Sequence, residues 1–210
     1  MEVLTGGFLV ADIIAADLPK IADQGELIFA PRGIQLSIGG HPANVSIDLR
    51  QLGLPAGQVG LVGAIGNDTF GQFIERTLKD HQILTHLQEV EGVGTTKNII
   101  IVVKDQDRRF HLELGASWHL DPGIVKAFLK KTRPDIFYVA TGIVGKLDDD
   151  LVNVVRTAKE MGSVTFVDIV RPFGKAWDFV IPSFEFTDIF HCNDFEATEI
   201  TRRKQLLEAL

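Results

Sequence analysis

The sequence predicts an α/β fold built on a mostly parallel sheet, and three observations carry that reading. From about residue 120 onward, short apolar runs alternate with stretches of helical period, the pattern of a parallel sheet covered by helices. The first run, Val3 to Ala11, is apolar around Gly6-Gly7 and suits a buried strand. Two stretches, roughly 17–38 and 95–115, break the alternation with β-favouring pieces that can pair as a small appendage.

Each element follows from local chemistry. Between Asp17 and Ile38, Pro19, Gly25, Pro31 and Gly33 interrupt the chain. Leu27-Ile28-Phe29 and Ile34 to Ile38 are left as short strands outside the main sheet. Pro42 to Leu52 carries Val45, Leu49 and Leu52 on one helical stripe, and Val59 to Ile65 reads as a strand closed by Gly66. Asn67 or Asp68 caps the next helix, in which Phe70, Phe73, Ile74, Thr77 and Leu78 recur at helical spacing. Thr95 to Val103 and Arg109 to Leu114 flank the polar turn Asp105-Gln106-Asp107-Arg108, a hairpin signal. Asp121-Pro122 supplies a cap and a first-turn proline ahead of Ile124, Val125, Phe128 and Leu129. Strands at Asp135 to Ala140, Val164 to Asp168 and Asp188 to Cys192 complete the alternation with a helix from Asp148 to Met161. Further helices open at Asp194 and span Thr201 to Leu210. Asp148-Asp149-Asp150 fits a helix start, where carboxylates complement the dipole.

Composition narrows the class of partner. A chain of 210 residues with 45% hydrophobic content fits one domain over residues 1–210. The net charge of -7 works against nucleic acid, whose readers usually show a basic face, and favours small molecules. Met1-Glu2-Val3-Leu4 has no basic stretch before an apolar run, and no window is long and apolar enough to cross a bilayer. A cytoplasmic protein without a membrane contact is expected. The single cysteine, Cys192, cannot close an intrachain disulfide, and the six histidines lack zinc-holding spacings. Neither the dinucleotide fingerprint nor the phosphate-loop lysine motif occurs.

Three groups of residues carry candidate chemistry. Gly39-Gly40-His41-Pro42-Ala43-Asn44 puts two glycines before a helix N-terminus, so that backbone amides can face a polar ligand. Asn44 offers a donor and an acceptor, which suits a polyol; a plain glycine turn before an ordinary helix is the bland alternative. Asp12, at the end of the first apolar run, stands where open α/β sheets present ligand-binding groups. Its carboxylate can accept two hydroxyl hydrogen bonds, or can be a solvated strand-end acid. Asn193 and Glu196, three apart where a strand passes into a helix, can point toward one end of the sheet or simply cap that helix. Taken in order, Gly39 to Asn44, Leu52-Gly53 and Gly60 to Gly71 resemble the N-terminal signature of the ribokinase-like (PfkB-type) carbohydrate and nucleoside kinases.

The resemblance implies a three-layer α/β/α sandwich with a small β-sheet lid over segments 17–38 and 95–115. Such a lid closes over the sugar and often forms a homodimer contact. It further implies that Asp12, Gly39, Gly40 and Asn44 hold the acceptor. Asn193-Asp194-Phe195-Glu196 is similar to the family's Asn-x-x-Glu motif, which organises Mg2+ and phosphates, with Glu196 reaching the metal through water. Asp168-Ile169-Val170-Arg171 falls where many members carry Asp-Pro-Asn-x-x-Arg; the Pro-Asn is absent here, and Arg171 is a candidate phosphate contact. Phosphoryl transfer also needs a base and donors for the transferring group. The family takes both from an Asp-Thr-x-Gly-Ala-Gly-Asp motif, which does not occur in residues 1–210, so the base is expected beyond Leu210. The expectation is ATP- and Mg2+-dependent phosphorylation of a sugar or nucleoside hydroxyl by the full-length protein, with this chain inactive alone. The competing reading is a non-catalytic sugar-binding or regulatory protein on the same fold.

Overall fold

The computed structural model describes residues 1–203. In chain order the first elements are β1 (Val3–Gly6), β2 (Val10–Leu18), β3 (Ile34–Gly39), α1 (His41–Gln51), β4 (Val59–Gly66) and α2 (Thr69–Asp80). They are followed by β5 (Leu84–Val90), β6 (Lys97–Val103), β7 (Arg109–Glu113), α3 (Pro122–Thr132) and β8 (Ile136–Thr141). The last are α4 (Lys146–Asp149), α5 (Leu151–Glu160), β9 (Val164–Ile169), β10 (Ile189–His191) and α6 (Asp194–Thr201). Two 3-10 segments, Gly115–His119 and Trp177–Phe186, complete the chain.

Six strands form one parallel sheet in the order β10-β9-β8-β1-β4-β5. Helices cover both faces of its centre, which is why β4 is an unbroken apolar run buried at every position. On one face Ala43 of α1 and Ile74 and Leu78 of α2 pack on Val59 and Leu61. On the other, Val125 and Leu129 of α3 and Val154 and Val155 of α5 join the cluster that holds Val62 and Phe137. Each such Leu or Ile, fully buried, contributes roughly 1.5–3 kcal/mol. The α1 side of β8 and β9 is less closed: Val45, Leu49, Ile136 and Phe166 line an apolar cavity of about 350 Å3 that also takes in Asp168 and His191.

The remaining strands form a second, mixed sheet in the order β3-β2-β6-β7. β2 pairs antiparallel with β3 and parallel with β6, and β6 and β7 make the expected hairpin. The two β-favouring stretches are therefore joined through β2, not directly.

The structure corrects several expectations drawn from pattern. The run Val3 to Ala11 is two strands in two sheets: β1 stops at Gly6 and the chain crosses over before β2 begins at Val10. Ser117 fixes the crossover, its hydroxyl donating to the Leu9 carbonyl at 3.0 Å and accepting from the Leu9 N–H at 3.1 Å. Asp12 therefore stands on the second sheet. Leu27-Ile28-Phe29 forms no strand, because these residues find no partner; Leu27 is 76% exposed and Phe29 79%. Asp68, not Asn67, caps α2 by accepting from the Gly71 N–H at 2.8 Å. It also accepts from the Thr95 N–H at 2.8 Å and hydroxyl at 2.7 Å, stitching α2 to the approach of β6.

Asp148 departs most from its expected role. The helix from Asp148 to Met161 is divided into α4 and α5, and Asp148 is only 5% exposed. Its carboxylate accepts from the Thr141 hydroxyl, the Gly142 N–H (3.1 Å) and the Val144 N–H (2.9 Å). Its role is to satisfy the loop after β8, where burial pushes its pKa up against the pull of these bonds. The helix expected over Thr201 to Leu210 falls largely outside the described residues.

Candidate active site

The pairing of β2 with β3 sets Asp12 opposite Ser37 and Val10 opposite Gly39. One Asp12 oxygen accepts from Asn98 Nδ2 at 3.0 Å. The other lies over Gly39, where a Cβ would come within 1.9 Å of it, so only glycine leaves the carboxylate its place. Asn98 is held in turn by β7, accepting from the His111 N–H at 3.0 Å. Next in sequence, Gly40 has φ +91° and lies so close to Phe8 that a Cβ would meet its carbonyl oxygen at 2.3 Å. No side chain caps α1; Pro42 has no N–H and the Asn44 N–H donates to the Gly40 carbonyl at 3.0 Å, so the N–H groups of His41 and Ala43 are the ones left without an intrahelical partner.

Burial raises the pKa of Asp12, with the Asn98 bond opposing it only in part. Stability linked to a raised carboxyl is present below its unfolded pKa and is lost as pH rises through the folded value. Asp12→Asn removes the charge and keeps the shape. At pH 7 the variant is expected to melt above the wild type, and at pH 3 the two should converge; thermal denaturation at both pH values checks this.

The other expected residues stand apart from this pair. Asn44 is exposed on the side of α1 that faces β3 and α2, where with Ser37, Asp48, Phe73 and Thr77 it lines a cleft of about 540 Å3. That cleft does not include Asp12, Gly39 or Gly40. Asn193 and Glu196 form a capping box at α6: Asn193 Oδ1 accepts from the Glu196 N–H at 2.9 Å, and Glu196 Oε2 accepts from the Asn193 N–H at 2.8 Å. Arg171 is exposed in the loop after β9.

A cluster that the sequence pattern did not single out lies at the C-terminal ends of β8, β9 and β10, the edge where open α/β sheets bind ligands. The Asp168 side chain is 8% exposed and takes the Tyr138 hydroxyl on Oδ2. His41 Nδ1 lies 3.1 Å from the same oxygen, and His191 Nδ1 lies 3.0 Å from Oδ1. The His41 ring packs on Phe8 with centroids 5.2 Å apart. Burial works to raise the pKa of Asp168, but the bonds from His41, Tyr138 and His191 together hold it below the usual carboxylate range. Burial, helped by that carboxylate, pushes the Tyr138 hydroxyl far up. Only a carboxylate near the end of a parallel strand hinted at this cluster in the sequence. Among the described residues, no group of three or more His, Cys, Asp or Glu side chains is placed to hold a metal ion.

A three-layer sandwich with a small mixed sheet at its ligand-binding edge is the ribokinase-like fold. Its backbone matches ribokinase from Giardia lamblia with a TM-score of 0.77 at 21% identity, over 97% of this chain and 61% of that one. Arabidopsis thaliana ribokinase, solved with ribose and ATP, matches with a TM-score of 0.76 at 20% identity, over 99% of this chain and 66% of that one. At these identities the structures establish the fold alone. Residues 7–210 match the pfkB family carbohydrate kinases, and the chain belongs to that family. It is 41% identical over 179 residues to 5-dehydro-2-deoxygluconokinase 2 of Bacillus cereus, a match covering 82% of this chain and 51% of that protein. The chain spans about half the length, or less, of the curated relatives it matches.

Proposed function

We propose that this chain is the acceptor-binding part of a kinase that transfers the terminal phosphoryl group of ATP to a sugar hydroxyl. One observation carries the reading: in a pfkB family chain, Asp12 holds one oxygen on Asn98 and sets the other over the Gly39-Gly40 turn, at the uncapped start of α1. A carboxylate beside free amides is suited to a polyol, accepting from hydroxyls and donating to ring or hydroxyl oxygens. Asn44 is assigned to the acceptor site from the adjoining cleft, which it lines with Ser37, the residue paired with Asp12. The relative from Bacillus cereus makes a sugar favoured over a nucleoside, with 5-dehydro-2-deoxygluconate the first candidate.

In this reading Asn193, Glu196 and Arg171 serve the phosphates. One Glu196 oxygen is taken by the cap, which leaves the other for a water-mediated Mg2+ contact and fits no direct cage. Mg2+ would shield the phosphate charge; the chain's own groups orient its waters. The second sheet acts as the lid. It leaves Ile34, Leu36 and Ile99 exposed on one face, an apolar surface suited to a second lid in a homodimer. No helix among the described residues is long and apolar enough to cross a membrane, and a cytoplasmic location is proposed.

Asp12→Ala should weaken sugar binding by about a hundredfold, the loss of two charge-assisted hydrogen bonds. Calorimetric titration with D-fructose, D-ribose and 5-dehydro-2-deoxygluconate measures it, and unchanged affinity removes the assignment. The base is assigned to the family's Gly-Ala-Gly-Asp string, absent from residues 1–210. The 210-residue chain is therefore expected to bind sugar without consuming ATP. ATP turnover by a longer form separates a kinase from a sugar-binding protein without chemistry.

A further inference from the structure

Asp168 draws together four separate elements: its own strand β9, Tyr138 on β8, His41 at the start of α1 and His191 at the end of β10. A carboxylate can only accept, so each neutral histidine facing it must carry its proton on Nδ1, and Nε2 is then left with a lone pair. His191 and the Tyr138 hydroxyl satisfy much of the carboxylate's accepting capacity, so Asp168 is fixed in place when it orients His41. Phe8 holds the ring from one side.

Nε2 of His41 has no hydrogen-bond partner among the described residues, and no unpartnered polar side-chain atom is buried. With the side chain 37% exposed, that nitrogen is open to solvent. His41 directly follows the Gly39-Gly40 turn over which Asp12 lies. The geometry points to His41 as a specificity-determining residue whose Nε2 accepts a hydrogen bond from a sugar hydroxyl, with Asp168 as the positioning residue that sets its tautomer. This rests on the sugar-binding reading above and names the part of the sugar it concerns. A neutral His41 can only accept at Nε2, so it meets a hydroxyl of the substrate and not its carboxylate or a phosphate.

Two substitutions separate the ring nitrogens. His41→Asn keeps an amide near Nδ1 and loses the group at Nε2; His41→Gln places an amide near Nε2. In calorimetric titrations of the 210-residue chain at pH 8 with D-fructose, D-ribose and 5-dehydro-2-deoxygluconate, His41→Asn should weaken the best-bound sugar about tenfold. His41→Gln should stay within about threefold of the wild type. If both variants bind as the wild type does, or both lose affinity equally, the inference falls while an Asp12→Ala loss leaves the sugar site standing. If the wild type binds none of the three sugars, the sugar-binding reading fails and takes the inference with it. Ring 15N spectra give an answer independent of binding. The wild type should show Nδ1 protonated and Nε2 bare, with Asp168→Asn shifting toward protonated Nε2. A wild-type ring with its proton on Nε2 overturns the role of Asp168.

Discussion

Replacing Asp168 with alanine is expected to lower the unfolding free energy by about 1–3 kcal/mol at pH 7, the range for leaving a buried polar group, here the Tyr138 hydroxyl, without its partner. The Tyr138 hydroxyl would lose its acceptor, and His41 and His191 would lose the group that tethers α1 and β10 to β9. The effect carries a pH signature. Because the folded pKa of Asp168 lies below its unfolded value, its stabilisation is present above the unfolded pKa and is lost as pH falls through the folded one. Denaturant melts should therefore show the gap between variant and wild type narrowing below about pH 4. A gap that stays constant on acidification would mean that the carboxylate charge contributes nothing.

Gly40→Ala is the second large effect, with an expected loss of about 2–5 kcal/mol, the sum of a conformational and a steric cost. Roughly 1–2 kcal/mol comes from holding an L-residue at positive φ. Another 1–3 kcal/mol or so comes from forcing a methyl against packed backbone, here the Phe8 carbonyl. Gly53 supplies the control, with φ +104° and nothing within 4 Å of the place a methyl would take, so Gly53→Ala should show the conformational cost alone. Denaturation of both variants measures the difference, and equal losses would show that the approach of Phe8 to the acceptor turn is not tight.

Helices with a cap and a clean stripe were legible in the sequence: α2 and α3 each announce a start residue and a buried face, whereas α1 has no side-chain cap and buries Pro42, Ala43 and Ser46, leaving Leu52 of its expected stripe 80% exposed. β5 was not, because as an edge strand it pairs on one side only, and its apolar residues, Leu84, Leu87 and Val90, fall at every third position and not at the alternation of a strand. Apolar runs also do not say which sheet a strand joins. Val3 to Ala11 reads as one piece because both of its halves are buried, while its change of sheet depends on Ser117, 108 residues away. The candidate site divides in the same way. Asp12 beside Gly39-Gly40 was accessible from motif order, and the spacing of Asn193 and Glu196 already held the capping reading that the geometry shows. The Asp168 cluster was out of reach, since His41 meets its partner across 127 positions and no local pattern encodes that pairing.

The crossovers between the sheets constrain how the smaller one can travel. Ser117 pins Leu9 from both sides of its peptide, and Asp68 grips Thr95 just before β6. A flap hinged at these points would have to tear apart buried hydrogen bonds at every stroke. Movement is instead left to the far ends, the turn 104–108 and the strandless stretch 19–33, which is tied by exposed ion pairs such as Lys20–Glu26 and Arg32–Asp17. As the proposed lid, the second sheet would curl at its rim around a fixed root, where Asp12 and Asn98 are held in register by β3 and β7.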